Sequence, residues 1–156
     1  IVPEKREERT TEGGLDVVAD ENRLATCIAP LRAAGCRVSL FIGADRAQID
    51  AATRVGAEVI ELHSGAYCDF HHEGKLEERD AELAALREAS TYAHGVGLEV
   101  HIGHGLTFET VGPVAAIPEA RELNIGHFLI GEAIFQGLGP AMAEMRRRMD
   151  LGRAGA

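Results

Sequence analysis

Three places in the chain put titratable or glycine residues directly after a short apolar run. Glu61 and His63 end Glu58-Val-Ile-Glu-Leu-His63; His101 and His104 lie in Leu98-Glu-Val-His-Ile-Gly-His-Gly-Leu-Thr107; Gly126 and His127 lie in Asn124-Ile-Gly-His-Phe-Leu-Ile-Gly131. A carboxylate and an imidazole held close together can exchange a proton near neutral pH, which is the requirement for general acid–base catalysis. His104 stands between two glycines, which let a small anionic ligand approach the backbone and leave the chain free to turn. Gly105 and Gly126 can present backbone amides to a phosphate, helped by the positive end of a following helix. A metal held by Glu61, His101 and His104 is disfavoured, because His101 and His104 are three residues apart and would face opposite ways on a strand. The bland readings are that His63 and His101 are hydrogen-bonding residues and that His71 and His72 lie in an exposed loop.

These residues need a scaffold that brings strand ends together. Helical periodicity predicts a helix over Asn22–Ala34, with Leu24, Cys27, Ile28 and Leu31 on one face and a kink at Pro30. A strand over Arg37–Ile42 follows, then a helix capped by Asp45 and running to about Val55, with Ile49, Ala52 and Val55 inward. The next strand is Glu58–His63, followed by a polar loop from Ser64 to Gly74. A long helix covers about Leu76–His94, with Leu83, Leu86, Ala89 and Ala93 inward, and leads to the strand Leu98–Ile102. A short helix over about Glu109–Ile117, a possible second helical piece near Pro118–Leu123, a last strand over Ile125–Ile130 and a closing helix over Gly139–Met149 complete the chain. Met142, Met145 and Met149 form a stripe best explained by core packing. Strand and helix alternate, the signature of parallel βα units, whose polar strand ends converge on one face. The strands read as apolar on both faces, and four parallel strands can form an open sheet or half of an eight-stranded barrel; nothing in the pattern closes a barrel by itself. Such a half would leave its interior uncovered and tend to self-associate.

Composition bounds the rest. A chain of 156 residues with 46% hydrophobic and 26% charged residues is expected to be a single domain over 1–156. A formal charge of −9 argues against nonspecific nucleic-acid binding or an anionic membrane surface. No apolar run approaches the roughly 20 residues of a membrane span. Cys27, Cys36 and Cys68 lack metal-type spacing and are expected to be plain thiols in a cytoplasmic protein, the first two in apolar surroundings. Ile1-Val2 looks like the end of a buried strand, as if the polypeptide had been cut upstream. Thr10 and Thr11 offer hydroxyls in the polar loop that follows.

Val2-Pro-Glu-Lys-Arg6, Thr10-Thr-Glu-Gly-Gly-Leu-Asp16, Gly103-His-Gly-Leu-Thr107 and Glu122-Leu-Asn-Ile-Gly-His127, in that order, strongly resemble the pyridoxine 5′-phosphate synthase family of vitamin B6 biosynthesis. The resemblance implies a (β/α)₈ TIM barrel. This chain would supply about the C-terminal half, from the end of strand four to helix eight. It implies condensation of 1-deoxy-D-xylulose 5-phosphate with 3-amino-2-oxopropyl phosphate to pyridoxine 5′-phosphate, phosphate and water, with no metal or organic cofactor and in a homo-oligomer. By motif matching, His104 would be the general acid and Glu61 the carboxylate that stabilises charge in the intermediates. Thr10 would bind the deoxyxylulose phosphate, and Gly105, Gly126 and His127 the aminoketone phosphate. The Glu4–Leu15 loop would close over both substrates. Family members carry roughly 90 further residues with a histidine base and a glutamate base, so the fragment alone is expected to be nearly inactive. Two other readings stay open on the residues alone: a metal-dependent hydrolase or aldolase of similar barrel shape, and a non-catalytic α/β module that binds a phosphorylated metabolite.

Overall fold

The computed structural model describes residues 1–4 and 13–155. Its elements are α1 (Glu21–Ala33), β1 (Ser39–Ile42), α2 (Arg46–Arg54), β2 (Val59–His63), α3 (Gly65–His72), α4 (Leu76–Gly95), β3 (Glu99–Gly103), α5 (Val111–Ala115), β4 (Ala120–Asn124), α6 (His127–Gln136) and α7 (Leu138–Ala154). The four strands form one sheet in the order β1-β2-β3-β4, every neighbouring pair parallel. At the outer edge of β1, the Phe41 amide donates to Ile1 O at 3.0 Å and the Ile1 amino group to Ser39 O at 2.5 Å.

Alternation along the strands sorts the side chains. Leu40, Ile42, Ile60, Leu62, Val100 and Ile102 are buried in one cluster with Ile49 and Ala52 of α2 and Leu86, Ala89 and Ala93 of α4. The opposite face is mostly polar. Pairing register sets Phe41, Glu61, His101 and Glu122 side by side in one row, and His63, Gly103 and Asn124 in the next. The expectation of strands apolar on both faces is therefore corrected: a side-chain period of two puts the apolar half against the helices and leaves Glu61, Glu99, His101, Glu122 and Asn124 on the other face. A smaller cluster of Val111, Leu129, Ala141 and Met145 joins α5, α6 and α7.

Two further expectations are corrected. The last strand is Ala120–Asn124, where a helical piece was possible, and the apolar run expected as a strand begins α6. On β4 Arg121 and Glu122 are exposed, whereas Leu129 of α6 is buried against Ala141 and Met145 of α7. The stretch expected as a loop contains α3, which buries Tyr67 and Cys68, the Tyr67 hydroxyl donating to Thr110 O at 3.0 Å. Smaller departures concern single residues. Asp45 caps α2 as expected, accepting from the Gln48 amide. In α1, Leu24 and Ile28 are buried but Leu31 is exposed. Cys27 and Cys36 are also exposed, and all three cysteines are free thiols. Of the methionine stripe, Met145 is buried, Met149 packs at the edge of the core and Met142 is exposed.

Candidate active site

The carboxyl ends of β2, β3 and β4 point the same way and carry the expected residues. Between the ends of β3 and β4 lies a cavity of about 410 Å³ lined by Glu61, His104, Gly105, Asn124, Gly126 and His127, among others. A neighbouring hollow of about 360 Å³, lined by Phe41, Glu61, His63, His104 and Gly13, lies on the β1 side. Five of the six expected site residues thus meet in one place; Thr10 lies outside the described residues.

Glu61 sits one row below the strand ends, yet its carboxylate reaches upward. Asn124, the last residue of β4, donates its side-chain amide to Glu61 Oε2 at 2.9 Å. That path runs over β3 at Gly103, where an added Cβ would lie 2.3 Å from Glu61 Oε1 and 3.0 Å from the Asn124 Cβ. Burial raises the Glu61 carboxyl above its ordinary range, opposed by the Asn124 hydrogen bond and by His101. His101 does not reach the cavity. Its Nε2 meets Glu99 Oε1 at 2.8 Å and its Nδ1 lies 3.5 Å from Glu122 Oε1, while Arg37 closes on the same Glu99 oxygen at 2.8 Å.

His104 follows β3 directly and has φ 78°, the one non-glycine residue among those described with positive φ. This left-handed backbone costs an ordinary residue on the order of 1–3 kcal/mol and persists only when its surroundings hold it. The His104 ring stacks on that of His63, with centroids 4.7 Å apart and an interplanar angle of 28°, and Phe41 lies edge-on to His63 at 5.1 Å. Burial first, then His104, pushes the His63 imidazole down to about 4, so it is neutral at physiological pH. Gly126 caps α6 and His127 opens it, so the free amides of a ten-residue helix begin at the cavity wall. Gly105 has φ 83°, and a Cβ there would press on Cys68 at 3.1 Å.

Other expectations resolve simply. Among the described residues no three His, Cys, Asp or Glu side chains lie close enough together to hold a metal ion, and His101 is turned away from His104 toward Glu99 and Glu122. His72 is exposed, while His71 turns toward Glu109 at 3.3 Å. Asn124 and Ser64 went unassigned in the sequence. The signal for Asn124 is its place as the last polar residue before Ile-Gly-His, hidden because the apolar run after it reads as the strand. No helix among the described residues is long and apolar enough to cross a membrane.

Several known proteins resemble this chain in sequence. Residues 1–151 match the family described as pyridoxal phosphate biosynthesis protein PdxJ. The chain is 71% identical over 154 residues to the pyridoxine 5′-phosphate synthase of Roseobacter denitrificans and 72% identical to that of Ruegeria pomeroyi, covering 99% of this chain and 62% of each relative. The Cereibacter sphaeroides synthase is 61% identical over the full 156 residues, again 62% of its own length. The chain therefore spans less than two thirds of the curated relatives it matches. A chain of the Amycolatopsis orientalis BexX/CysO complex superposes with a TM-score of 0.62 at 19% identity, covering 94% of this chain and 53% of that one, a likeness of fold.

Proposed function

The chain belongs to the PdxJ family of pyridoxal phosphate biosynthesis proteins, and from that premise we propose that it is the C-terminal portion of a pyridoxine 5′-phosphate synthase. The complete protein is read as one (β/α)₈ barrel domain, with this chain running from the end of strand four to helix eight. Four parallel strands in chain order support that reading. The protein acts in the cytoplasm as a homo-oligomer on small phosphorylated substrates.

The observation that carries this reading is the single cavity shared by Glu61, His104, Gly105, Gly126 and His127. In it the phosphate of 3-amino-2-oxopropyl phosphate rests on the backbone of Gly105, Gly126 and His127. Two glycine turns and a helix N-terminus supply fixed donors there, as at the last strands of many such barrels. His104 protonates the oxygen that leaves. Glu61, held by Asn124, faces the positive charge that develops as amine and ketone condense. Thr10, which lies outside the described residues, binds the deoxyxylulose phosphate in this reading. By family resemblance the bases come from the part of the protein outside this chain.

The test is turnover of 1-deoxy-D-xylulose 5-phosphate and 3-amino-2-oxopropyl phosphate by the complete protein, followed by phosphate release and chromatography of the product. Stoichiometric pyridoxine 5′-phosphate is expected. Tight binding of both substrates without product would favour a phosphometabolite-binding module instead. In a crystal soaked with phosphate, an anion bound only at the amino-terminal ends of the strands would overturn the assignment of the glycine turns.

A further inference from the structure

We infer that His63 and Ser64, the residues at the end of β2, are the positioning clamp of His104: Ser64 fixes the backbone that carries the imidazole, and His63 fixes the plane in which the ring lies. The inference deepens the synthase reading above and rests on it for the role of His104.

Two elements are fastened at this point. Ser64 is 1% exposed, and its amide donates to Gly103 O at 2.8 Å. Its hydroxyl lies 2.7 Å from Gly103 O and 2.8 Å from His104 O, placed to donate between the two carbonyls. These carbonyls bracket the peptide leading into His104 and the one leading out of it. A residue at φ 78° is held there by such bonds, because its own side chain disfavours the conformation. The hydroxyl therefore determines where the Cβ of His104 points.

The ring is held from the side. His63 stacks against it at 4.7 Å, and Phe41 backs both rings, 5.1 Å from His63 and 6.1 Å from His104. The stack also explains why residue 65 is glycine. A Cβ there would lie 2.4 Å from His63 Cε1 and 3.3 Å from His104 Cδ2, pushing the rings apart. Among the described residues, the ring contacts and hydrogen bonds of His104 come from Phe41, His63, Ser64 and the Cys68 thiol at 4.0 Å. The cavity side of the imidazole is left facing the ligand space. A neutral stacked neighbour holds a ring by contact and leaves the proton chemistry to the outer imidazole.

The test is made in the complete protein. Ser64→Ala should lower kcat by about 10²-fold, the cost of a misplaced catalytic group. KM for both substrates should stay close to the wild-type value, because ground-state binding is untouched. Ser64→Thr, which keeps the hydroxyl, should recover most of the loss. His63→Phe, which keeps a flat ring, should lose less kcat than His63→Ala. A raised KM with unchanged kcat in Ser64→Ala would overturn the clamp, as would equal losses in His63→Phe and His63→Ala. If Ser64→Ala does not fold, the His63 pair decides. If the wild-type protein does not turn over, the synthase reading fails, and the crystal structure of Ser64→Ala still judges the clamp. His104 leaving the left-handed region supports it, and φ retained near 78° overturns it.

Discussion

His104 is the residue on which the proposed chemistry turns. Replacing it by Asn in the complete enzyme keeps a polar side chain but removes the group that can hold and release a proton. We expect kcat to fall by about 10²–10⁴-fold with little change in substrate binding. Steady-state kinetics at saturating substrate checks this, and an unchanged kcat removes His104 from the mechanism. His63 gives a second residue-scale prediction. Its imidazole has an ordinary value of 6.5 and is pushed down to about 4 in the fold. Between those values the unfolded chain binds the proton and the folded one does not, so this group's contribution to stability falls as pH drops from about 6.5 to about 4. His63→Phe should flatten that part of the urea-unfolding profile relative to wild type. A profile that still falls as steeply in the variant would mean that other groups carry it. The chemistry-bearing residues were legible in the sequence because they follow apolar runs. What was not legible was contact: nothing in the spacing of His63 and His104 says that their rings stack, or that Ser64 ties the strand ends together.

Between elements, glycine permits a close backbone approach. Gly152 of α7 lies on α5, where an added Cβ would meet Gly112 O at 2.3 Å. Backbone at that distance cannot yield as a flexible side chain would. Gly152→Ala should therefore destabilise the protein by roughly 1–3 kcal/mol, as overpacking does. Gly95, the last residue of α4, has open space around its missing side chain. Gly95→Ala should stabilise by about 0.4–1 kcal/mol, by restricting the unfolded chain. Denaturant melts of the two variants read opposite signs if the packing is as described. Element type is readable where apolar residues recur at helical spacing between polar ones, as in α2 and α4. It fails at β4, whose sequence Ala-Arg-Glu-Leu-Asn has no apolar run to mark it as a strand. α6 was mistaken for a strand because a short apolar run carries no period of its own.

Across the whole molecule, the apolar surface left open lies mainly on helices. Ile134 is 78% exposed and Phe135 88%, with Ile130, Leu138 and Met142 nearby in sequence, whereas the open face of the sheet carries Glu61, Glu99, His101 and Glu122. Exposed apolar surface of this kind promotes association. We expect the isolated 156-residue chain to self-associate in sedimentation and Phe135→Lys to shift it toward the monomer. A wild-type monomer at all concentrations would show that this corner is harmless. The alternation that makes the open face polar was present in Val-Ile-Glu-Leu-His and Glu-Val-His-Ile-Gly. It was masked because a closed barrel also admits strands apolar on both sides.

Sheet order here equals chain order. Each strand therefore needs only the one before it as a template, and pairing never waits for a segment made much later. For a chain leaving the ribosome at about 5–20 residues per second, that permits growth in the direction of synthesis, one βα unit laid on the last. The loop to be closed is longest between β2 and β3, where Val59 pairs with Glu99 across the whole of α3 and α4, so that step costs the most chain entropy. Pulsed hydrogen exchange on stalled nascent chains should find amides of β2 protected before β4 has emerged. Simultaneous protection of all four strands would instead mean that the sheet waits for its full length.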